Sequence, residues 1–164
     1  MKRTHHCNEL RLEHSSQEVT LSGWVHSCRD LGGVIFIDIR DREGRTQAVF
    51  DPQETDSGLV DIAGKLRSES VISVSGKVRQ RPDETENPKI PTGQIEVVAA
   101  EIEVHNHADV LPFQVDDPEN AAKVNEELRL QYRYLDLRRS EMAHNLRLRS
   151  KVAMTTRVFM EEEG

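Results

Sequence analysis

Residues 34–50 read VIFIDIRDREGRTQAVF, in which two alternating apolar segments flank a short polar turn. In the first segment Ile35, Ile37 and Ile39 fall on one face, as the two-residue period of a β-strand requires. The turn sequence DREG is typical of a hairpin connection, and a second strand follows it as far as Phe50. These residues therefore predict an antiparallel hairpin with one buried face.

Further strands are predicted on both sides of this hairpin. The segment from Val19 to Val25 alternates apolar and polar residues upstream, and the segment from Val71 to Val78 does so downstream. A last strand starts at Gln94, and its inward positions change parity partway along the strand. One extra residue on one strand of a pair produces such a change, so the sequence predicts a β-bulge near Ala100.

Helical spacing replaces this alternation between the third and fourth strands. The predicted helix runs from Asp56 to Arg67, with Asp56 or Ser57 as its N-cap. Its apolar positions are Leu59, Ile62, Ala63 and Leu66. The element order β-β-β-α-β-β predicts a mainly β fold, a five-stranded OB-fold barrel whose helix lies between strands 3 and 4.

Beyond residue 108 the strand pattern is replaced by a linker and helices. Residues 109–139 begin with proline-containing segments and include a predicted helix from Asn120 to Gln131. Ser140 is the expected N-cap of a last helix. The apolar stripe of this helix consists of Leu148, Val152, Thr155 and Phe159. The predicted organisation is a barrel domain at 1–108, a linker at 109–139 and the first helix of a further domain at 140–164.

The composition limits the possible classes of function. The formal net charge is −7 at pH 7, whereas non-specific nucleic-acid binders usually carry a basic surface, because phosphate neutralisation supplies most of their affinity. Cys7 and Cys28 form no CxxC pair, and His5-His6-Cys7 has no second ligand cluster at zinc-like spacing, so no metal site is predicted. Since no run of about 18 apolar residues occurs, we expect a soluble cytoplasmic protein with no membrane partner.

The residues opposite the core face carry the chemistry. Phe36 lies on the polar face of its strand, away from the isoleucines. Strand 4 places Lys77, Arg79 and, if it extends, Arg81 on its outer side, and Glu96 points outward from strand 5. Aromatic rings stack on unpaired bases at about 1–3 kcal/mol each, and carboxylates accept from base amino groups. This face therefore favours binding of single-stranded nucleic acid. Two alternative interpretations are that a loop covers Phe36 and that Glu96 is an ordinary surface residue.

Several segments resemble one protein family in order and spacing. They are GWV at 23–25 with RDLGGVIFIDIRDREG at 29–44, PTGQIEV at 91–97 and YRYLDLRR at 132–139. Together they resemble the N-terminal anticodon-binding domain of bacterial-type aspartyl-tRNA synthetases and the segment that enters the hinge and catalytic region. The resemblance implies that residues 140–164 begin a class II catalytic domain that is interrupted at Gly164.

The resemblance also implies roles for particular side chains in RNA binding. Phe36 matches the aromatic ring that stacks on the middle anticodon base, and Gln47 matches a side chain that hydrogen-bonds an anticodon base. Arg29 and Glu96 match residues that read the third anticodon position, where a carboxylate accepts from a cytosine amino group. Arg79, Arg81 and Asn87 match residues of strand 4 and the following loop that lie near the first anticodon base and the RNA backbone.

The sequence departs from the family where consecutive arginines usually precede Asp30. Here Ser27 and Cys28 stand before Arg29. Two missing cations weaken phosphate contacts by about 1 kcal/mol each if those contacts are exposed. The departure therefore concerns the affinity for RNA.

The function that the resemblance implies is recognition of the tRNA(Asp) anticodon stem-loop, with a G-U-C anticodon, by part of an aspartate–tRNA ligase. The complete enzyme would use ATP and Mg²⁺ and would form a homodimer through its catalytic domain. The present segment is expected to contain no catalytic residue and no cofactor, and to be a monomer.

Two other classes of function remain open. A stand-alone OB protein that binds single-stranded nucleic acid without sequence preference would not need the segment at 132–139. A protein-interaction OB domain is favoured by the acidic charge, but it leaves Phe36 beside Arg79 and Glu96 unexplained.

Overall fold

The computed structural model describes residues 2–116 and 123–164, apart from the side chain of Asp83. The strands are β1 (Glu18–Leu31), β2 (Val34–Arg40), β3 (Arg45–Phe50), β4 (Val71–Gln80) and β5 (Ile95–Asn106). The α-helices are α1 (Ser57–Gly64), α2 (Glu126–Gln131), α3 (Arg133–Asp136) and α4 (Ser140–Glu163), and short 3-10 helices lie at Leu12–His14 and Asp83–Thr85. The central hairpin is confirmed as β2 and β3.

The strands close into a barrel. They pair in the order β1-β2-β3-β5-β4, and β4 pairs with β1 to complete the ring. The β3–β5 pair is parallel and the other pairs are antiparallel. The predicted five-stranded fold, with its helix between strands 3 and 4, is confirmed.

Apolar side chains from every strand meet inside the barrel and form one core. Burying one such side chain stabilises a protein by about 1.5–3 kcal/mol, so the alternation in each strand is what favours closure. The largest side chains with no exposed surface include one from each strand, namely Leu21, Ile37, Phe50, Ile72 and Ile95.

Strand β1 is longer than predicted because it pairs with two different strands. The predicted strand ended at Val25, whereas β1 continues to Leu31. Up to Trp24 it pairs with β4, and from Trp24 onward it pairs with β2, with a register shift just after Val25. This extension places Arg29 on β1, directly opposite Phe36.

The β-bulge predicted near Ala100 is confirmed. Ser75 of β4 pairs with Glu101, whereas Gly76 pairs with Ala99, so Ala100 is the extra residue on β5. The bulge explains the change of parity in the sequence, because the apolar residues on both sides of it can face the core.

Helix α1 begins as predicted and ends earlier. The Asp56 side chain accepts a hydrogen bond from the Gly58 N–H at 2.8 Å, which makes Asp56 the N-cap. The helix stops at Gly64 and not at Arg67. Its end tightens, since the Lys65 N–H donates to the carbonyl three residues earlier.

We expect Asp56→Ala to lower the free energy of unfolding by about 1 kcal/mol, because it leaves a first-turn N–H without its acceptor. Urea denaturation followed by circular dichroism measures the change. Asp61→Asn, which removes a charge from the exposed face of the same helix, should stay within about 0.5 kcal/mol of the wild type. Equal stability of the two variants would contradict the capping role.

A second compact unit begins at Val110. Its first helix, α2, starts at Glu126, where the Asn125 side chain accepts from the Glu127 N–H at 2.9 Å. The predicted start at Asn120 lies outside the described residues, and the described residues 123–125 precede the helix.

The prediction that Ser140 caps the last helix is wrong. Ser140 is the first residue of α4, and Arg139 occupies the cap position with an extended backbone. The Arg139 side chain is directed to the buried Asp136, at 3.1 Å, and Asp136 also accepts from Arg129 and Arg133. Burial disfavours the charged carboxylate, but the three guanidinium groups outweigh it and lower the pKa of Asp136.

Helix α4 presents its apolar residues to solvent within this unit. Leu148, Val152 and Phe159, three members of the predicted stripe, are each more than half exposed. Among the described residues, none of the helices has the length and apolar character that crossing a membrane requires.

Candidate nucleic-acid interface

One polar side chain from each barrel strand lies in a row across the outer face of the sheet. The register sets Asp38 opposite both Ser27 and Gln47, and sets Arg79 opposite Glu96. Cross-strand neighbours of this kind have Cβ atoms about 4.5–5.5 Å apart, so their side chains can bond. In the order of the strands this polar row consists of Ser27, Asp38, Gln47, Glu96 and Arg79.

Glu96 is the acceptor at the centre of the polar row. Gln47 Nε2 donates to one of its carboxylate oxygens at 2.9 Å, and Arg79 Nε donates to the other at 2.8 Å. Glu96 is 3% exposed. Its interpretation as ordinary surface is therefore wrong, because two donors from neighbouring strands enclose the carboxylate.

Arg29 connects the β2 and β3 members of the polar row. Its Nη2 donates to Gln47 Oε1 at 3.1 Å and lies 3.3 Å from Asp38 Oδ2. Ser27 donates to the same Asp38 oxygen at 2.8 Å. Half of the Arg29 side-chain surface is exposed, so its guanidinium can also meet a ligand.

Phe36 lies next to the polar row and is partly exposed. It stands opposite Arg29 on β1 and Val49 on β3. Its neighbours Ile35 and Ile37 point to the core and are 5% and 0% exposed. The alternation of β2 thus places one aromatic ring on the outer face, opposite Arg29 and on the same side of the strand as Asp38.

The position of Arg81 on the outer side of strand 4 was predicted only for a longer strand, and β4 ends at Gln80. The Arg81 side chain is buried, and its Nε donates to the Ile95 carbonyl at 2.8 Å. Its Nη2 is buried without a hydrogen-bond partner among the described residues. Burial lowers the pKa of this guanidinium, and the charge of Arg29 acts in the same direction against the opposing effect of Glu96 and Asp38. Arg81 therefore lies beside the polar row as a buried charge.

Comparison with known proteins identifies the family of the barrel. Residues 19–105 match the family model described as the OB-fold nucleic acid binding domain. The chain belongs to this OB-fold family. Residues 125–164, in the second unit, match the family model of class II tRNA synthetases (D, K and N).

Similar proteins include complete ligases. The chain is 48% identical to the aspartate–tRNA(Asp/Asn) ligase of Opitutus terrae and 50% identical to that of Aquifex aeolicus, in each case over 163 residues and 99% of this chain. The alignments cover 27% and 26% of those relatives, so the chain spans about a quarter of their length. The crystal structure of asparaginyl-tRNA synthetase from Pyrococcus horikoshii, complexed with asparaginyl-adenylate, aligns with 100% of the chain and 35% of its own, at 29% identity and a TM-score of 0.81.

In the OB domain, Asn87 contributes to the shape of the loop between β4 and β5. Its side-chain oxygen accepts from the Lys89 N–H at 3.1 Å, and its own N–H donates to the Gly93 carbonyl at 3.1 Å. Asn87 thus lies in the loop and is not a member of the polar row.

Three residues of the OB-domain site, Ser27, Asp38 and Glu54, were missing from the sequence-based set. Asp38 could have been included, because it lies two residues after Phe36 on β2 and therefore on the same face of the strand. Glu54 lies in the loop after β3, and its Oε2 is 2.6 Å from Arg79 Nη1. Neither a period nor a motif in the sequence places this loop beside β4.

Positive and negative charges balance in this part of the OB domain. Burial disfavours the charge of Arg79, but its hydrogen bonds to Glu96 and Glu54 outweigh that effect and raise the pKa of the guanidinium. A balanced surface attracts phosphates weakly, so selective binding has to come from directed donors, acceptors and stacking. The guanidinium groups belong to Arg29, Arg79 and Arg81, and the carboxylates belong to Asp38, Glu54 and Glu96.

Proposed function

We propose that the OB domain binds the anticodon stem-loop of tRNA(Asp) and distinguishes its G-U-C anticodon. The observation that carries the proposal is the partly exposed Phe36 ring beside the hydrogen-bonded polar row. An unpaired base gains about 1–3 kcal/mol by stacking on such a ring. The middle anticodon base would stack on Phe36.

The neighbouring polar groups supply direct contacts to the other bases. A carboxylate has about four lone-pair positions, and Glu96 uses two of them within the polar row. The others can accept from the amino group of a cytosine at the third anticodon position. Arg29, which is half exposed, can donate to an acceptor of the same base.

We also propose that the chain is part of a longer aspartate–tRNA ligase. The identity to the two ligases and the class II match in the second unit support this assignment. The complete homodimeric enzyme would join aspartate to tRNA with ATP and Mg²⁺. Among the described residues, no group of three or more His, Cys, Asp or Glu side chains could hold a metal ion.

Binding of anticodon stem-loop RNA at fixed moderate salt tests the anticodon proposal. We expect the wild-type chain to bind a G-U-C loop at least about tenfold more tightly than a loop altered at its middle U, a difference of about 1.4 kcal/mol. Phe36→Ala should erase this difference because it removes the stacking surface. Ile62→Ala removes a partly exposed apolar side chain from α1, and this control should preserve the difference.

Two results would count against anticodon recognition. If the folded wild-type chain binds both loops equally, an OB domain without sequence preference becomes the better assignment. If the folded chain binds neither loop, a protein-interaction OB domain becomes the better assignment.

A further inference from the structure

Arg79 is held by two carboxylates of different character. Its Nε donates to the buried Glu96 at 2.8 Å, and its Nη1 lies 2.6 Å from Glu54, whose side chain is 45% exposed. The two bonds together fix the plane of the guanidinium group. The remaining nitrogen, Nη2, has no bonding partner within the described part of the chain, and the Arg79 side chain is 38% exposed.

The loop after β3 is built to present Glu54 at this position. The Glu54 N–H and the Thr55 N–H both donate to the Asp51 carbonyl, at 2.9 and 2.7 Å. The Thr55 hydroxyl donates to the Ala99 carbonyl of β5 at 2.9 Å and is buried. The loop is thereby bonded to β5, and Glu54 lies beside Arg79 of β4.

Glu54 and Arg79 also line a cleft with a volume of about 530 Å³. The cleft includes Arg79, the last member of the polar row, and its lining also includes Val98 of β5 and Lys77 of β4. A strand of RNA that leaves Phe36 in this direction would bring a phosphate close to Arg79. The carboxylate of Glu54 would then repel that phosphate.

We propose that Glu54 is a specificity-determining residue of the RNA site, an inference that rests on the proposed anticodon recognition. It adds a second carboxylate to Arg79, which Glu96 already pairs, and it orients Nη2 as a directed donor, so that Arg79 bonds a correctly placed base and does not attract phosphates in general. An RNA loop that stacks on Phe36 and contacts Glu96 can bind despite the charge of Glu54. An RNA loop bound mainly through its phosphates is excluded, because Glu54 repels the phosphates.

Glu54→Gln tests the inference, because it keeps the shape and one acceptor of the side chain and removes its charge. We expect the variant to bind the loop altered at its middle U about fivefold more tightly than the wild type does, and the G-U-C loop within about twofold. For the altered loop, the slope of log K against log salt concentration should become steeper by about one, since Arg79 becomes available to one phosphate. Asp61→Asn removes the same charge from α1 and should change neither quantity.

The outcomes separate this inference from the proposed function. If the wild type prefers the G-U-C loop and Glu54→Gln matches Asp61→Asn in affinities and salt slope, Glu54 has no role in specificity and only this inference fails. The same conclusion follows if Glu54→Gln weakens binding of both loops equally. If neither the wild type nor Glu54→Gln prefers the G-U-C loop, anticodon recognition fails and the inference fails with it.

Discussion

Glu96→Gln is expected to weaken binding of a G-U-C anticodon stem-loop by about 30-fold, which corresponds to about 2 kcal/mol. It should also abolish most of the preference for that loop over one altered at its third position. Titration of labelled stem-loops with the wild-type and variant chains at one salt concentration measures both effects.

The expected effect follows from the two bonds that Glu96 accepts. Glutamine has one carbonyl oxygen and one NH2 group in place of two carboxylate oxygens. Whichever way the amide is oriented, the NH2 faces a donor, either Gln47 Nε2 or Arg79 Nε, which now lie 2.9 and 2.8 Å from the carboxylate. One of these side chains must therefore move, and the acceptor for the cytosine amino group loses its charge.

Glu101→Gln provides a matched control on the same strand. Glu101 is exposed and lies beyond the bulge at Ala100, so its substitution should leave the affinity for both loops within about twofold of the wild type. Thermal unfolding verifies that both variants are folded. A folded Glu96→Gln chain that binds the G-U-C loop as well as Glu101→Gln does would show that Glu96 does not read the RNA.

Gly76→Ala is expected to lower the free energy of unfolding by about 3 kcal/mol. A Cβ atom on Gly76 would lie 2.0 Å from the carbonyl oxygen of Val98 and 2.8 Å from its carbonyl carbon. These are backbone atoms of β5, which cannot move aside by a change of rotamer. The β4–β5 pairing beside the bulge would have to open, and urea denaturation measures the cost.

Gly64→Ala is the control for Gly76→Ala. At the end of α1 a Cβ would meet only the side chain of Ile35, at 3.7 Å, which is an ordinary contact. Alanine also favours a helix over glycine by about 0.5–1 kcal/mol, so this variant should be as stable as the wild type or more stable. Similar stabilities for the two variants would contradict the close approach of β4 and β5.

Local patterns in the sequence were sufficient for most of the barrel. The alternation of three isoleucines on β2 predicted both the buried face and the outward Phe36, because each residue of a strand reverses the side-chain direction. The parity change near Ala100 predicted the bulge for the same reason. The length of β1 was missed, since its second half pairs with β2 and not with β4, and a change of partner leaves no periodic signature.

The family resemblance named Arg29, Gln47, Arg79 and Glu96 as site residues, but it did not predict how they are connected. Nor did it predict that the Arg81 guanidinium is buried and bonds the β5 backbone. Whether a charged side chain is buried depends on which other residues pack over it. That neighbour can come from any part of the chain.

The amino-acid sequence determined which residues point outward, because side-chain direction is a local property of each strand. Only barrel closure decided which of them meet. It inserts β5 between β3 and β4, which brings Gln47 and Arg79 to the two oxygens of Glu96 and sets the loop of Glu54 beside Arg79. Distances between strands that are remote in sequence depend on the order of pairing, and the period of a single strand does not contain that information.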